Sequence, residues 1–142
     1  MQSSCYNFFS KALNWNAAKS ACETLGSKLV AINSQAEQQA LASKITDAQS
    51  RWIGLYRDPK DKFRWLWVDG TRPNYTYWNT EEPNSVHEEC GEMLSKANYG
   101  GKWNDLMCTN SIPYICEIPI GVCPRQLGFA CKVPATSFFP RR

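Results

Sequence analysis

Glu82-Pro83-Asn84, then Glu88 and Glu89 directly before Cys90, then Trp103-Asn104-Asp105 shortly before Cys108, follow one another along a polar stretch of the chain. Most of these side chains offer oxygen. Calcium takes six to eight oxygen ligands from carboxylates, amides and water, so Glu82, Asn84, Glu88, Asn104 and Asp105 are candidate Ca2+ ligands that leave room for outside oxygens. Taken singly, each is better read as a solvated turn residue; the reading rests on the ordered set. Catalysis has little to work with. His87 is the only histidine, no Gly-x-Ser-x-Gly is present, and calcium accounts for the paired Glu88 and Glu89, so the chain is not expected to be an enzyme.

These residues need a scaffold to hold them. With 142 residues, 43% hydrophobic, and six each of Trp, Tyr and Phe, the chain fits one packed domain and not a disordered segment. Asn14 to Gly26 reads as a helix: Asn14 caps it, Ala17, Ala18, Ala21, Cys22 and Leu25 form an apolar stripe, and Gly26 suits its end. A short strand is expected at Lys28 to Ile32. A second helix starts at Ser34, where Ser34 and Glu37 form a capping box, and runs through Ile45. Strands follow at Trp52 to Leu55 and Phe63 to Val68, with a turn at Asp69-Gly70. Thr71 to Gly101 reads as a long loop region whose Trp78 and Cys90 argue against disorder and for function. Late strands are expected at Cys90 to Leu94 and Tyr114 to Glu117.

Seven cysteines, Cys5, Cys22, Cys90, Cys108, Cys116, Cys123 and Cys131, are spread out and not grouped in CxxC pairs. That favours disulfides over zinc and implies a secreted or extracellular protein. The opening Met1-Gln2-Ser3-Ser4 shows no signal peptide, as expected of a mature or recombinant form. No apolar run is long enough to span a membrane. The net charge is +3, but Arg125, Lys132, Arg141 and Arg142 lie in residues 118–142 without an acid, so the excess is a basic tail and not the basic face that nucleic acid requires. The expected organisation is a domain over residues 1–117 and a basic, Cys- and Pro-containing extension over 118–142. Asn74-Tyr75-Thr76 is a glycosylation sequon.

Trp52-Ile53-Gly54-Leu55, Trp67-Val68-Asp69-Gly70, the EPN at 82–84, the WND at 103–105 and the spacing of Cys22, Cys90, Cys108 and Cys116 resemble the C-type lectin family over about residues 5–117. The resemblance implies an α+β fold in which two helices flank a small two-part antiparallel sheet, with the principal calcium site on a long loop. It implies the disulfides Cys22–Cys116 and Cys90–Cys108, and the calcium ligands Glu82, Asn84, Glu88, Asn104 and Asp105. It also implies a cis bond at Pro83 and packing roles for Trp78 and Trp103.

The function implied is calcium-dependent carbohydrate binding. Two neighbouring hydroxyls of a sugar join the metal while donating to a carboxylate such as Glu82 and accepting from an amide such as Asn84. EPN points to mannose, fucose or N-acetylglucosamine; Tyr75, Tyr77 and Trp78 could stack on galactose and override it. The rival within the fold is a calcium-independent protein-binding or ice-binding module. Where relatives carry acids for an auxiliary calcium this chain has Arg57 and Ser85, so at most one tightly bound calcium is expected. Cys5, Cys123 and Cys131 leave either a free thiol or a bridge to a second chain. A disulfide-linked homo-oligomer is favoured, because weak single sites gain from multivalency.

Overall fold

The computed structural model describes residues 4–119 and the short strand at 130–132. Its elements are β1 (Ser4–Leu13), α1 (Trp15–Thr24), β2 (Lys28–Leu29), α2 (Gln35–Ala42), β3 (Arg51–Asp58), β4 (Asp61–Trp67), β5 (Cys90–Met93), α3 (Lys96–Tyr99), β6 (Trp103–Leu106), β7 (Ile112–Pro119) and β8 (Ala130–Lys132).

Both expected helices form for local reasons. The Asn14 side chain accepts from the Ala17 N–H at 2.8 Å, satisfying a donor the first turn leaves over. Trp15, Ala18 and Cys22 are the buried stripe of α1, and Gly26, at φ 72, turns the chain out in the left-handed region that glycine enters freely. In α2 the Ser34 hydroxyl accepts from the Glu37 N–H at 3.1 Å, and Glu37 in return accepts from the Asn33 N–H at 2.8 Å. This helix stops at Ala42, short of the expected Ile45, although Ile45 still buries its side chain in the core.

The strands run in the order β6-β5-β3-β7-β1-β8, with β4 beside β3 and β2 beside β7. Their pairings are antiparallel except for one parallel pair, Trp52 opposite Tyr114, which joins the two halves of the sheet. Lys28 to Ile32 is ladder-paired only at Lys28–Leu29; beyond it, the Val30 N–H donates to Ile115 O at 3.0 Å and Val30 O accepts from Gly54 N at 2.7 Å. The strand readings near Trp52, Phe63, Cys90 and Tyr114 correspond to β3, β4, β5 and β7, whereas β1, β6, β8 and α3 are not expected from the sequence. β7 continues to Pro119, and β8 pairs with β1, so the sheet reaches past residue 117. Most of the 118–142 extension, Cys123 included, lies outside the described residues.

Two disulfides join Cys22 to Cys116 and Cys90 to Cys108, as the resemblance implied, across 94 and 18 residues of sequence. In the chain-entropy view such closures restrict the unfolded chain by roughly 5 and 3 kcal/mol. The first ties α1 to β7. The second ties the start of β5 to the segment just after β6, the strand that carries Asn104 and Asp105. Trp103 is fully buried at the head of β6, packed against Trp67, Tyr75 and Trp78, and its ring N–H donates to Gln38 Oε1 at 2.8 Å. Packing is therefore its role, and the same contact fixes where β6 begins.

Candidate functional site

β6 pairs with β5 so that Asp105 lies opposite Gly91 and Asn104 opposite Glu92. Asp105 is completely buried. Its carboxylate accepts from the Ser85 N–H at 3.0 Å, from the Asn84 N–H at 3.1 Å and from the Arg57 guanidinium at 3.1 Å. Two backbone donors thus pin the EPN turn to the WND strand, and register alone sets their place. The Glu82–Pro83 bond is cis. The Asn84 amide approaches Glu82 Oε2 at 3.4 Å, which places the two side chains on one side of the turn.

Oxygen is crowded here. Glu82 Oε1 is buried with no hydrogen-bond partner. Burial first, and the neighbouring Asp105 carboxylate next, push the Glu82 carboxyl up to about 7. The Glu88 carboxyl is also raised, by burial, then by Asp105 and Glu92, against the lowering pull of Arg57. Asn104 donates its amide N–H to Glu92 Oε2 at 2.7 Å, which leaves its own oxygen available. Glu92 is in turn held by the Ser50 hydroxyl at 2.6 Å. Glu82, Asn84, Glu88 and Asp105 therefore form one interacting group, and Asn104 joins it through Glu92.

Among the described residues no three His, Cys, Asp or Glu side chains converge as a metal cluster by themselves. The set is mixed, acids with amides, which is the oxygen-only composition calcium accepts and zinc does not. Crowded carboxylates with one buried orphan oxygen are the condition a divalent cation relieves, so these residues fit calcium. The region is also open to solvent: Asn84, Val86 and His87 are exposed.

The Lectin C-type domain model matches residues 11–118. The chain belongs to the C-type lectin family. It is 37% identical to chicken hepatic lectin over 82% of this chain and 55% of that protein. It is 36% identical to human C-type lectin domain family 4 member E over 89% of this chain and 59% of that one. The chain thus spans a little over half the length of these curated relatives. Among solved structures it resembles the mouse scavenger receptor C-type lectin carbohydrate-recognition domain, at 32% identity and TM-score 0.76, covering 84% of this chain and 92% of that one. It also resembles the cow CD23 carbohydrate-recognition domain determined with a GlcNAc2Man3 oligosaccharide (34%, TM-score 0.74, 84% and 90%). A calcium-independent type II antifreeze protein shares the fold as well (29%, TM-score 0.74, 82% and 86%).

Two residues that position this candidate site are not legible in the sequence. Glu92 holds Asn104, and only the β5–β6 register shows it. Arg57 stood out as a departure at an auxiliary position, but nothing in the sequence showed that its side chain turns inward to Asp105. The aromatic residues that could redirect sugar preference are engaged elsewhere. Tyr75, Tyr77 and Trp78 pack on the core, Tyr75 and Tyr77 stacking at 6.4 Å and Trp78 lying 5.0 Å from Trp65.

Proposed function

We propose that this C-type lectin domain binds carbohydrate through one calcium ion held by Glu82, Asn84, Glu88, Asn104 and Asp105, with preference for mannose, fucose or N-acetylglucosamine. The observation that carries the reading is the facing pair Glu82 and Asp105, with Glu82 Oε1 buried and unpartnered. Calcium, when bound, supplies coordination positions to two neighbouring sugar hydroxyls. The chain's own residues do the rest. Glu82 accepts a hydrogen bond from a sugar hydroxyl, the exposed Asn84 donates its amide N–H, and Asp105, fixed by the Ser85 and Asn84 amides, keeps the turn in place. The openness of the region favours weak single-sugar affinity, made useful by several sites acting together. The disulfides support action outside the cell.

The fold shared with a calcium-independent antifreeze protein makes a metal-free binder the second reading. A glycan-binding assay in calcium and in EDTA separates the two. Retention on immobilised mannose in calcium and release by EDTA is expected; binding unaffected by EDTA would discard the calcium mechanism. Elution by galactose but not by mannose at equal concentration would overturn the sugar preference alone.

A further inference from the structure

Arg57 is 7% exposed and reaches Asp105 Oδ2, the same oxygen that accepts from the Asn84 and Ser85 N–H groups. Its guanidinium makes four hydrogen bonds: Nε to Glu88 O at 2.9 Å, Nη1 to Lys62 O at 2.6 Å, and Nη2 to Ser85 O at 2.8 Å and Asp105 Oδ2 at 3.1 Å. Its face lies 4.5 Å over the Trp65 ring. The Arg57 backbone N–H donates to Glu89 O at 2.9 Å, so residues 85–89 wrap around this one side chain. Three carbonyls and a carboxylate converging on one point form a hard-oxygen cage that suits a cation, and the guanidinium fills it.

We infer that Arg57 is a built-in cation that holds the calcium-ligand loop in its binding geometry before any metal arrives. The inference rests on the calcium reading of Glu82, Asn84, Glu88, Asn104 and Asp105, and it deepens that reading by adding a positioning residue. Both loop segments carrying ligands are tied to the same group: Ser85 adjoins Asn84, and Glu88 is itself a ligand candidate. The bonds to Ser85 O and Asp105 Oδ2 share Nη2, so one planar fork sets the spacing between the EPN turn and the WND strand. Lys at this place keeps the charge but not the fork, since three donors on one nitrogen do not span four fixed acceptors. The same occupancy closes the cage to a second calcium.

Hydrogen exchange of the amides of Asn84, Ser85 and Glu88, bonded to Asp105 and to Ser85 O, is the test, combined with calcium titration. In EDTA the wild-type amides are expected to be protected. In Arg57→Lys and Arg57→Gln they are expected to exchange at least about tenfold faster, with calcium binding weakened by at least about tenfold, consistent with loss of bonds to a charged group. Saturating calcium is expected to restore their protection. Amides of the β1–β7 ladder serve as the control for general destabilisation and are expected to stay protected. Variants that match wild type in exchange and calcium affinity overturn the inference. Should the variants fail to fold, wild-type exchange decides: loop amides exchanging in EDTA as fast as an unfolded chain overturn it, and protected ones support it. A wild-type chain that binds no calcium removes the proposed function, and the exchange result in EDTA is read independently of it.

Discussion

Asp105 does two things that pull against each other. It accepts three bonds from the protein, and it is the most deeply buried acid of the proposed calcium site. Asp105→Asn is therefore expected to weaken calcium by about 10- to 100-fold, the loss of a charged ligand at about 1.5–3 kcal/mol. It should also destabilise the metal-free chain by about 3–5 kcal/mol, because Arg57 keeps a buried charge without its partner. Calorimetry and urea unfolding in EDTA check both; a folded variant with unchanged calcium affinity would count against Asp105 as a ligand. Proton linkage provides a second handle. Glu82, Glu88 and Glu117 all have carboxyls raised above 4.5, with burial the first cause in each. The folded metal-free chain thus binds more protons than the unfolded one between the ordinary Glu range and about 7. Its stability is expected to fall as pH rises through that window. Asp47 and Asp69 shift downward instead, and act below it. Calcium needs the ionised carboxylates, so its affinity should rise over the same window. Melting in EDTA at pH 5 and 7.5 is expected to give the higher midpoint at pH 5, and the increment from calcium is expected to be larger at 7.5. An increment that ignores pH would show that these acids do not hold the metal. The five oxygen donors were legible because side-chain type and order carry that information; Arg57 and Glu92 were not, because their roles depend on which strand lies opposite.

The strand β3 organises the sheet, with neighbours β4, β5 and β7, and seven of its eight residues are buried. Gly54 in its middle is required by distance and not by backbone freedom. A Cβ there would stand 2.7 Å from Leu29 O and 3.0 Å from Val30 O, both backbone atoms. Gly54→Ala is expected to cost about 1–3 kcal/mol by forcing the extended segment after β2 away from β3. Denaturant unfolding reads this directly; an unchanged midpoint would mean that the segment shifts freely. The helices were readable in the sequence because caps and stripes are local, and β3 because its apolar run is dense. β1 was not: Ser4–Leu13 mixes Ser, Asn and Lys among its aromatic residues, and only pairing with β7 makes it a strand. β6 is hidden because Trp103-Asn104-Asp105 carries a chemical pattern first, though the alternation of buried Trp103 and Asp105 with half-buried Asn104 and Leu106 is a strand pattern. α3 is a single turn, too short for any periodicity to reveal.

For the whole molecule the open matter is how seven cysteines are used. An odd number leaves at least one outside any set of bonds within the chain. Cys22, Cys116, Cys90 and Cys108 are paired, and Cys5 is disulfide-bonded as well. The sequence had left Cys5 among three unassigned cysteines. Backbone register narrows this, since β8 lies antiparallel to β1 with Cys131 directly opposite Cys5. Directly opposed residues in such a ladder have Cα atoms about 4.5–5.5 Å apart, inside the span a disulfide bridges. Peptide mapping of the unreduced protein is therefore expected to recover Cys5 joined to Cys131, anchoring the end of the chain to its first strand. Cys123 is then the odd cysteine, placed between β7 and β8 in sequence. If weak sugar sites work together, Cys123 is the group that joins two chains, and the Cys123→Ser variant is expected to migrate as a monomer without reductant while wild type migrates as a dimer. Linking two such sites raises avidity by about 100-fold or more when both reach one glycan surface, so the same variant should keep its affinity for free mannose and lose most of its retention on a mannose-coated surface. Wild type running as a monomer with one titratable thiol would instead make Cys123 a free cysteine and leave multivalency to some other contact.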